Sequence, residues 1–200
     1  MLNKFINFMI NLIRKPDIIQ PVTVITPKPE VKPEPIIVNK PEIVNYGILV
    51  IKCFEGCKLE AYKDVVGVWT IGYGQTGPEI KEGLKWTQEQ AEQALIKSYK
   101  SFSDKVSKLV TAHKLILNDY QLQALTSFTY NLGEGNLAML INKRQVPEIG
   151  EAILKYHKAG GKPLKGLLVR RTVERDLFNL TKNEFNPETL AEHYRKTINI

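Results

Sequence analysis

Three side chains stand at spacings that suit acid–base chemistry on a bond to oxygen. Glu55 ends a dense apolar run of helical character that begins at Tyr46. Asp64 follows after eight intervening residues, and Thr70 after five more. Between them the period changes. Leu59, Ala61 and Tyr62, then Val68, Trp69, Thr70, Ile71 and Tyr73, are strand-like around an Asp-Val-Val-Gly turn. A carboxyl at a helix end and a second in the hairpin that follows can border one cleft. Hydrolysis of a glycosidic bond needs such a pair. One carboxylic acid protonates the leaving oxygen, and the other carboxylate assists water or stabilises the cationic transition state. A nearby hydroxyl, that of Thr70, can hold the water. Burial behind Phe54 and Tyr62 is expected to desolvate Glu55. By spacing alone the alternative stays open, because the chain has many Glu/Asp pairs and most such pairs are solvated surface charge.

The elements that position these residues are read from periodicity and caps. The first helix ends near Gly56 and leads into a small antiparallel hairpin. Thr87 with Gln90 makes a capping box, and Ala91, Leu95, Tyr99, Phe102 and Val106 mark the buried face of a long helix. Asn118 or Asp119 caps the next helix, with Leu122, Leu125 and Phe128 inward and an end near Gly133. A short helix around Leu137–Ile141 follows. Pro147 opens another, which Gly160 and Gly161 stop. Residues 166–180 form a further helix, and Asn186-Pro187 opens the last. The expected class is α+β, mostly helical, with one small hairpin and about seven helices.

Residues 45–200 form the expected folded domain. Residues 1–15, MLNKFINFMINLIRK, place Asn3, Asn7, Asn11 and Arg14 on one polar stripe of an otherwise apolar helix, with no acidic residue. The run is too short and too interrupted to span a bilayer. A basic amphipathic helix at a membrane surface is expected, with docking on a partner or on its own domain as the alternative. Residues 16–44 hold Pro16, Pro21, Pro27, Pro29, Pro33, Pro35 and Pro41. Proline fixes φ and removes donors, so an extended, semi-rigid linker is expected.

Composition bounds the partners. The chain is 43% hydrophobic and 24% charged, which is ordinary for a globular domain with a normal core. The net charge of +7 favours an anionic partner such as nucleic acid, anionic lipid or an acidic wall polymer. No aromatic interleaving or nucleic-acid module accompanies the basic residues, so nucleic acid is not expected. Cys53 and Cys57 are too few for a disulfide framework and lie one helical turn apart, flanking Glu55. They form no metal spacing with His113, His157 or His193, so neither a metal nor a cofactor is expected.

The stretch FEGCKLEAYKDVVGVWTIGYG, 54–74, resembles the catalytic segment of phage lysozymes of the T4/lambdoid endolysin family. Glu55, Asp64 and Thr70 match that family's signature without a gap. SFTYNLGEG at 127–135 and AGGKPLKGLLVRRTVER at 159–175 resemble its further segments in the same order. The resemblance implies a lysozyme-like fold and a muramidase that cuts the β-1,4 bond between N-acetylmuramic acid and N-acetylglucosamine. It implies peptidoglycan as partner, a monomer, and action on the wall from the host cytoplasm or inner-membrane surface. Glu55 would be the proton donor and Asp64 the support for water attack or for positive charge on the sugar. Thr70 would position the water. Arg170 would pair with the acid and orient it, with Arg171 as the near alternative. Tyr130 and Asn131 would line the saccharide groove, although a core aromatic and a helix-end cap are equally open for these two. The sequence departs from relatives at Gln75, where histidine is usual, and at His157 or Lys158 and Leu164, where many have tryptophan.

Two rival functions remain. A lytic transglycosylase uses one acid and no water, and would leave Asp64 and Thr70 without work. An inactive wall-binding or virion module would need none of the three.

Overall fold

The structure, a computed structural model, describes residues 44–182 and 184–199. The expected N-terminal helix and the proline-rich linker lie outside the described residues. Helix α1, Tyr46–Glu55, starts where the Asn45 side chain accepts from the Ile48 N–H at 3.0 Å. It stops at Gly56, whose φ of 65° is left-handed and suits glycine. Strand β1, Lys58–Lys63, pairs antiparallel with β2, Trp69–Gly72, and β2 with β3, Gln75–Thr76. The register places Tyr62 opposite Thr70 and shifts between Lys58 and Tyr62. The expected hairpin is therefore a three-stranded sheet, its third strand too short to carry a period.

The helices that follow start at the expected caps. Helix α2, Gln88–Ala112, opens on the Thr87–Gln90 capping box and buries Ala91, Leu95, Tyr99 and Val106. Asn118 is the cap of α3, Asp119–Ile141, with a second capping box to Gln121. Within α3, Gly133 has non-helical angles, φ 80° and ψ 169°. The two helices expected on either side of Gly133 thus run on as one interrupted element, which brings the described helices to six. Helix α4, Val146–Ile153, has Pro147 in its first turn. It ends well before Gly160. Those glycines instead turn a two-residue hairpin, β4 Lys158–Ala159 with β5 Lys162–Pro163. Helices α5, Lys165–Phe178, and α6, Pro187–Thr197, complete the fold.

Helix α3 is the central element and packs against α1, α2, α4 and α5. Its Leu125, Phe128, Leu137 and Leu140 are fully buried with Val169, Val173 and Leu177 of α5. A second cluster joins Ile51, Tyr73, Ala91, Leu95 and Tyr99, linking α1 to the sheet and α2. Helix α1 contributes to both clusters: Val50 to the first and Ile51 to the second, each with no exposed surface. Burial of each such side chain stabilises by about 1.5–3 kcal/mol. A helix wedged between two cores has little freedom to rotate or slide, and Glu55 is its last residue.

Gly56 also separates the cysteines. Because α1 ends at Glu55, Cys53 and Cys57 do not share one helix face. Cys53 packs against the main core and Cys57 against the second cluster, and both thiols are free.

Candidate active site

Glu55 stands at the wall of a cleft of about 500 Å³ lined by Phe54, Asn131, Leu164, Gly166, Leu167, Arg170 and Arg195. Its side chain keeps 24% of its surface and is therefore not buried as expected. What fixes it is an ion pair. Arg170 Nη1 donates to Glu55 Oε1 at 2.6 Å, from a side chain only 5% exposed. Of the two arginines considered from sequence, Arg170 is the one that reaches the acid.

Arg171 turns inward instead, and it does so beside a residue that the motif reading missed. Glu174 is fully buried between the two arginines. Its Oε1 accepts from Ser127 Oγ at 2.8 Å, Arg170 Nε at 3.2 Å and Arg171 Nη2 at 3.1 Å. Arg171 Nε lies 2.9 Å from Oε2. Two guanidinium groups thus share one buried carboxylate, and Glu55 is the second anion that balances them. Burial disfavours the charge of Arg170, but Glu174 and Glu55 outweigh it and raise its pKa. Arg171 is pushed down to about 10, by burial first, with Glu174 opposing and Arg170 adding to the fall. Both remain cationic at neutral pH. The spacing of Arg170 and Glu174, one helical turn apart, is a signal that the sequence offered.

Asn131 borders the cleft, and its Oδ1 accepts from Arg171 Nη2 at 3.0 Å. That bond orients the amide and leaves its N–H groups for another partner. Tyr130 is placed differently from Asn131. Its hydroxyl donates to the Tyr73 carbonyl at 2.8 Å and accepts from Gln75 Nε2 at 2.9 Å. Gln75 Oε1 in turn accepts from the Tyr73 N–H at 2.7 Å. Burial, and then the charge of Glu55, push the Tyr130 pKa well up, so the hydroxyl stays neutral and able to donate. This ring of bonds locks the turn between β2 and β3. Gly74, in that turn, has φ +94°, and a β-carbon added to it would stand 4.0 Å from Glu55 Oε2. The turn therefore passes directly beside the acid. Gln75, noted as a departure from the usual histidine, is the side chain that closes this ring.

Asp64 and Thr70 lie on the hairpin that α1 leads into, and neither lines the cleft. Asp64 Oδ1 accepts from the Val66 and Val68 N–H groups at 2.9 and 2.8 Å and so shapes the hairpin turn. Its Oδ2 is not engaged by that turn. Thr70 is buried, and its hydroxyl donates to the Val68 carbonyl at 3.1 Å, which leaves the oxygen free to accept. Among the described residues no group of His, Cys, Asp and Glu is placed to hold a metal ion.

The Tyr130 ring yields a measurable expectation. Tyr130→Phe keeps the core aromatic but removes both hydroxyl bonds, leaving the Tyr73 carbonyl and Gln75 amide short of partners. A loss of about 1–3 kcal/mol in denaturant unfolding is expected. A variant with unaltered stability would exclude this locking role.

Known proteins resemble this chain in sequence and in fold. The family described as phage lysozyme matches residues 52–174. An endolysin of Bacillus phage B103 is 35% identical over 156 residues, covering 72% of this chain and 58% of that protein. The chain therefore spans little more than half the length of that relative. Among solved structures, an endolysin from the Escherichia coli O157:H7 phage FAHEc1 superposes with a TM-score of 0.59 at 33% identity, covering 68% of this chain and 92% of that one. The muramidase domain of SpmX from Asticaccaulis excentricus gives 0.61 at 30% identity, covering 70% of this chain and 99% of that one. The matched segment contains Glu55, the hairpin, and the helix bearing Arg170, Arg171 and Glu174, and the chain belongs to the phage lysozyme family.

Proposed function

We propose that the protein is a muramidase of the endolysin type, hydrolysing the β-1,4 bond between N-acetylmuramic acid and N-acetylglucosamine in bacterial peptidoglycan. The observation that carries this reading is the Arg170–Glu55 pair, a carboxyl fixed by a buried cation at the wall of an open cleft. Membership of the phage lysozyme family and likeness to a muramidase domain support it.

In this reading the glycan strand lies across the cleft with its scissile oxygen beside Glu55. Arg170 holds Oε1, so the carboxyl delivers its proton from Oε2. As the glycosidic bond breaks, positive charge grows on the sugar. Asp64, through Oδ2, stabilises that charge or receives the proton of the attacking water. Thr70 accepts a hydrogen bond from that water and aligns it. Asn131 offers its amide N–H groups to an acetamido carbonyl on the strand. Tyr130 serves by holding the β2–β3 turn. The protein acts as a monomer, with no metal or cofactor in any step. Inversion at the anomeric carbon follows if water attacks from the face opposite Glu55.

Glu55→Gln tests this reading. It preserves shape and removes the transferable proton. Clearing of purified wall suspensions should fall by about 10²–10⁴-fold with the melting temperature little changed. Wild-type digests should gain reducing ends. Products ending in 1,6-anhydro sugars would identify a transglycosylase, and an inert wild-type protein would identify a binding module.

Residues 1–15, outside the described residues, supply the second part of the proposal. Their basic amphipathic pattern supports a membrane-surface helix, with residues 16–44 as the spacer that lets the enzyme reach the wall. No helix among the described residues is long and apolar enough to cross a membrane. Deleting residues 1–15 should shift the protein from the membrane to the soluble fraction of expressing cells. Unchanged fractionation would remove this part of the proposal and leave the enzymatic part standing.

A further inference from the structure

Helix α6 brings to the cleft a residue that neither the motif nor the family match contains. Arg195 lines the cleft together with Phe54, Glu55, Asn131 and Arg170. It lies beyond residue 174, where the family match ends. Its Cζ is 5.9 Å from the centroid of the Phe54 ring, and Arg170 Cζ is 5.7 Å from the same centroid. A contact of that kind steadies a guanidinium through its face and leaves its N–H edge available to an acceptor.

The two cations differ in their internal balance. Arg170 is paired with Glu55 and Glu174. Among the described residues, Arg195 forms no ion pair with a carboxylate. Its polar neighbour is the Cys53 thiol, which burial pushes up and Arg195 pulls back. The opening of α5 adds to the positive character of the same wall. Leu164, Gly166 and Leu167 line the cleft, and this helix start has no side-chain cap. The positive end of its dipole therefore meets no anion of the protein's own cap. With Glu55 neutralised by Arg170, the cleft keeps one exposed, ring-steadied cation among its lining residues. Its complement must come from the occupant.

We propose that Arg195 is a specificity-determining residue that bonds a carboxylate of the substrate as the strand lies across Glu55. The inference rests on the muramidase reading above. Two sources carry this chemistry. Stem peptides bear free carboxylates, and the lactyl group of muramic acid bears one wherever its peptide has been removed. Both offer the planar, two-oxygen acceptor that a guanidinium matches. Arg195 acts on binding and takes no part in proton transfer, so its loss raises KM and spares kcat.

The experiment compares the full-length protein with Arg195→Ala and Arg195→Glu, after confirming equal melting temperatures. Three substrates are used: native wall, wall whose carboxylates have been converted to amides with carbodiimide and ammonium, and strands stripped of peptide by an amidase. Reducing-end release gives kcat and KM. On native wall Arg195→Ala should raise KM about three- to tenfold with kcat nearly unchanged, and Arg195→Glu should raise it further. On amidated wall the wild type should lose the same factor and the variants should lose nothing more. An effect on native wall alone assigns the stem peptide, and one on stripped strands alone assigns the lactyl group. An Arg195→Ala defect that persists undiminished on amidated wall, or no defect on any substrate, overturns the proposal. A wild type that releases no reducing ends from any of the three refutes the muramidase reading itself.

Discussion

One buried carboxylate organises the cleft wall of this molecule. Glu174 has no exposed surface and accepts three hydrogen bonds on a single oxygen, from Ser127, Arg170 and Arg171. Taking one anion and two cations out of water is costly, and removing one member of such a set typically costs about 3–5 kcal/mol. The arrangement is tolerable because a second anion, Glu55, meets Arg170 at the cleft wall. The acid is thus the outer member of a charge network anchored in the core. Its carboxyl is held by Nη1 of a guanidinium whose Nε is held by Glu174. An arrangement of this kind fixes the position of the Glu55 carboxyl in advance.

Two further constraints converge on the same carboxyl. Helix α1 is gripped by two cores through adjacent residues, Val50 and Ile51, so its last residue inherits their rigidity. On the other flank, the turn carrying Gly74 is tied to α3 by the Tyr130 hydroxyl and the Gln75 side chain. Backbone, sheet turn and buried cation therefore meet at Glu55 from three separate elements. The Glu55 side chain keeps 24% of its surface, so it is not held by burial. Position is enforced from behind instead.

Much of this was legible in the sequence, and the rest was hidden for physical reasons. Helix starts at Thr87, Asn118 and Asn186 were readable because a side-chain cap is a local bond between residues three apart. The end of α4 was not: no glycine stops it at Ile153, and the glycines further on serve a hairpin too short to show a period. Glu55, Asp64 and Thr70 stood out through the resemblance, because spacing alone left them among many Glu/Asp pairs. Arg170 was visible by resemblance, and its contact to Glu55 is long-range, across 115 positions. Glu174 escaped because a Glu one turn from an Arg on a helix reads as a solvated pair, and only the packing of α3 against α5 buries it. Tyr130 could be read as a groove aromatic or a core aromatic; it packs against the second cluster, and its hydroxyl bonds a backbone carbonyl that sequence does not display. Arg195 sits on a helix that the catalytic motif does not reach.

We propose that Arg170 sets the working geometry of Glu55 through its simultaneous hold on Glu174. The most direct test is the kcat of Arg170→Lys on purified peptidoglycan, measured on protein shown to be folded. Lysine keeps the positive charge but supplies a single point donor that cannot bridge both carboxylates as the fork does. A fall in kcat of about ten- to a hundredfold with KM little altered is expected. A folded Arg170→Lys enzyme with the kcat of the wild type would contradict it.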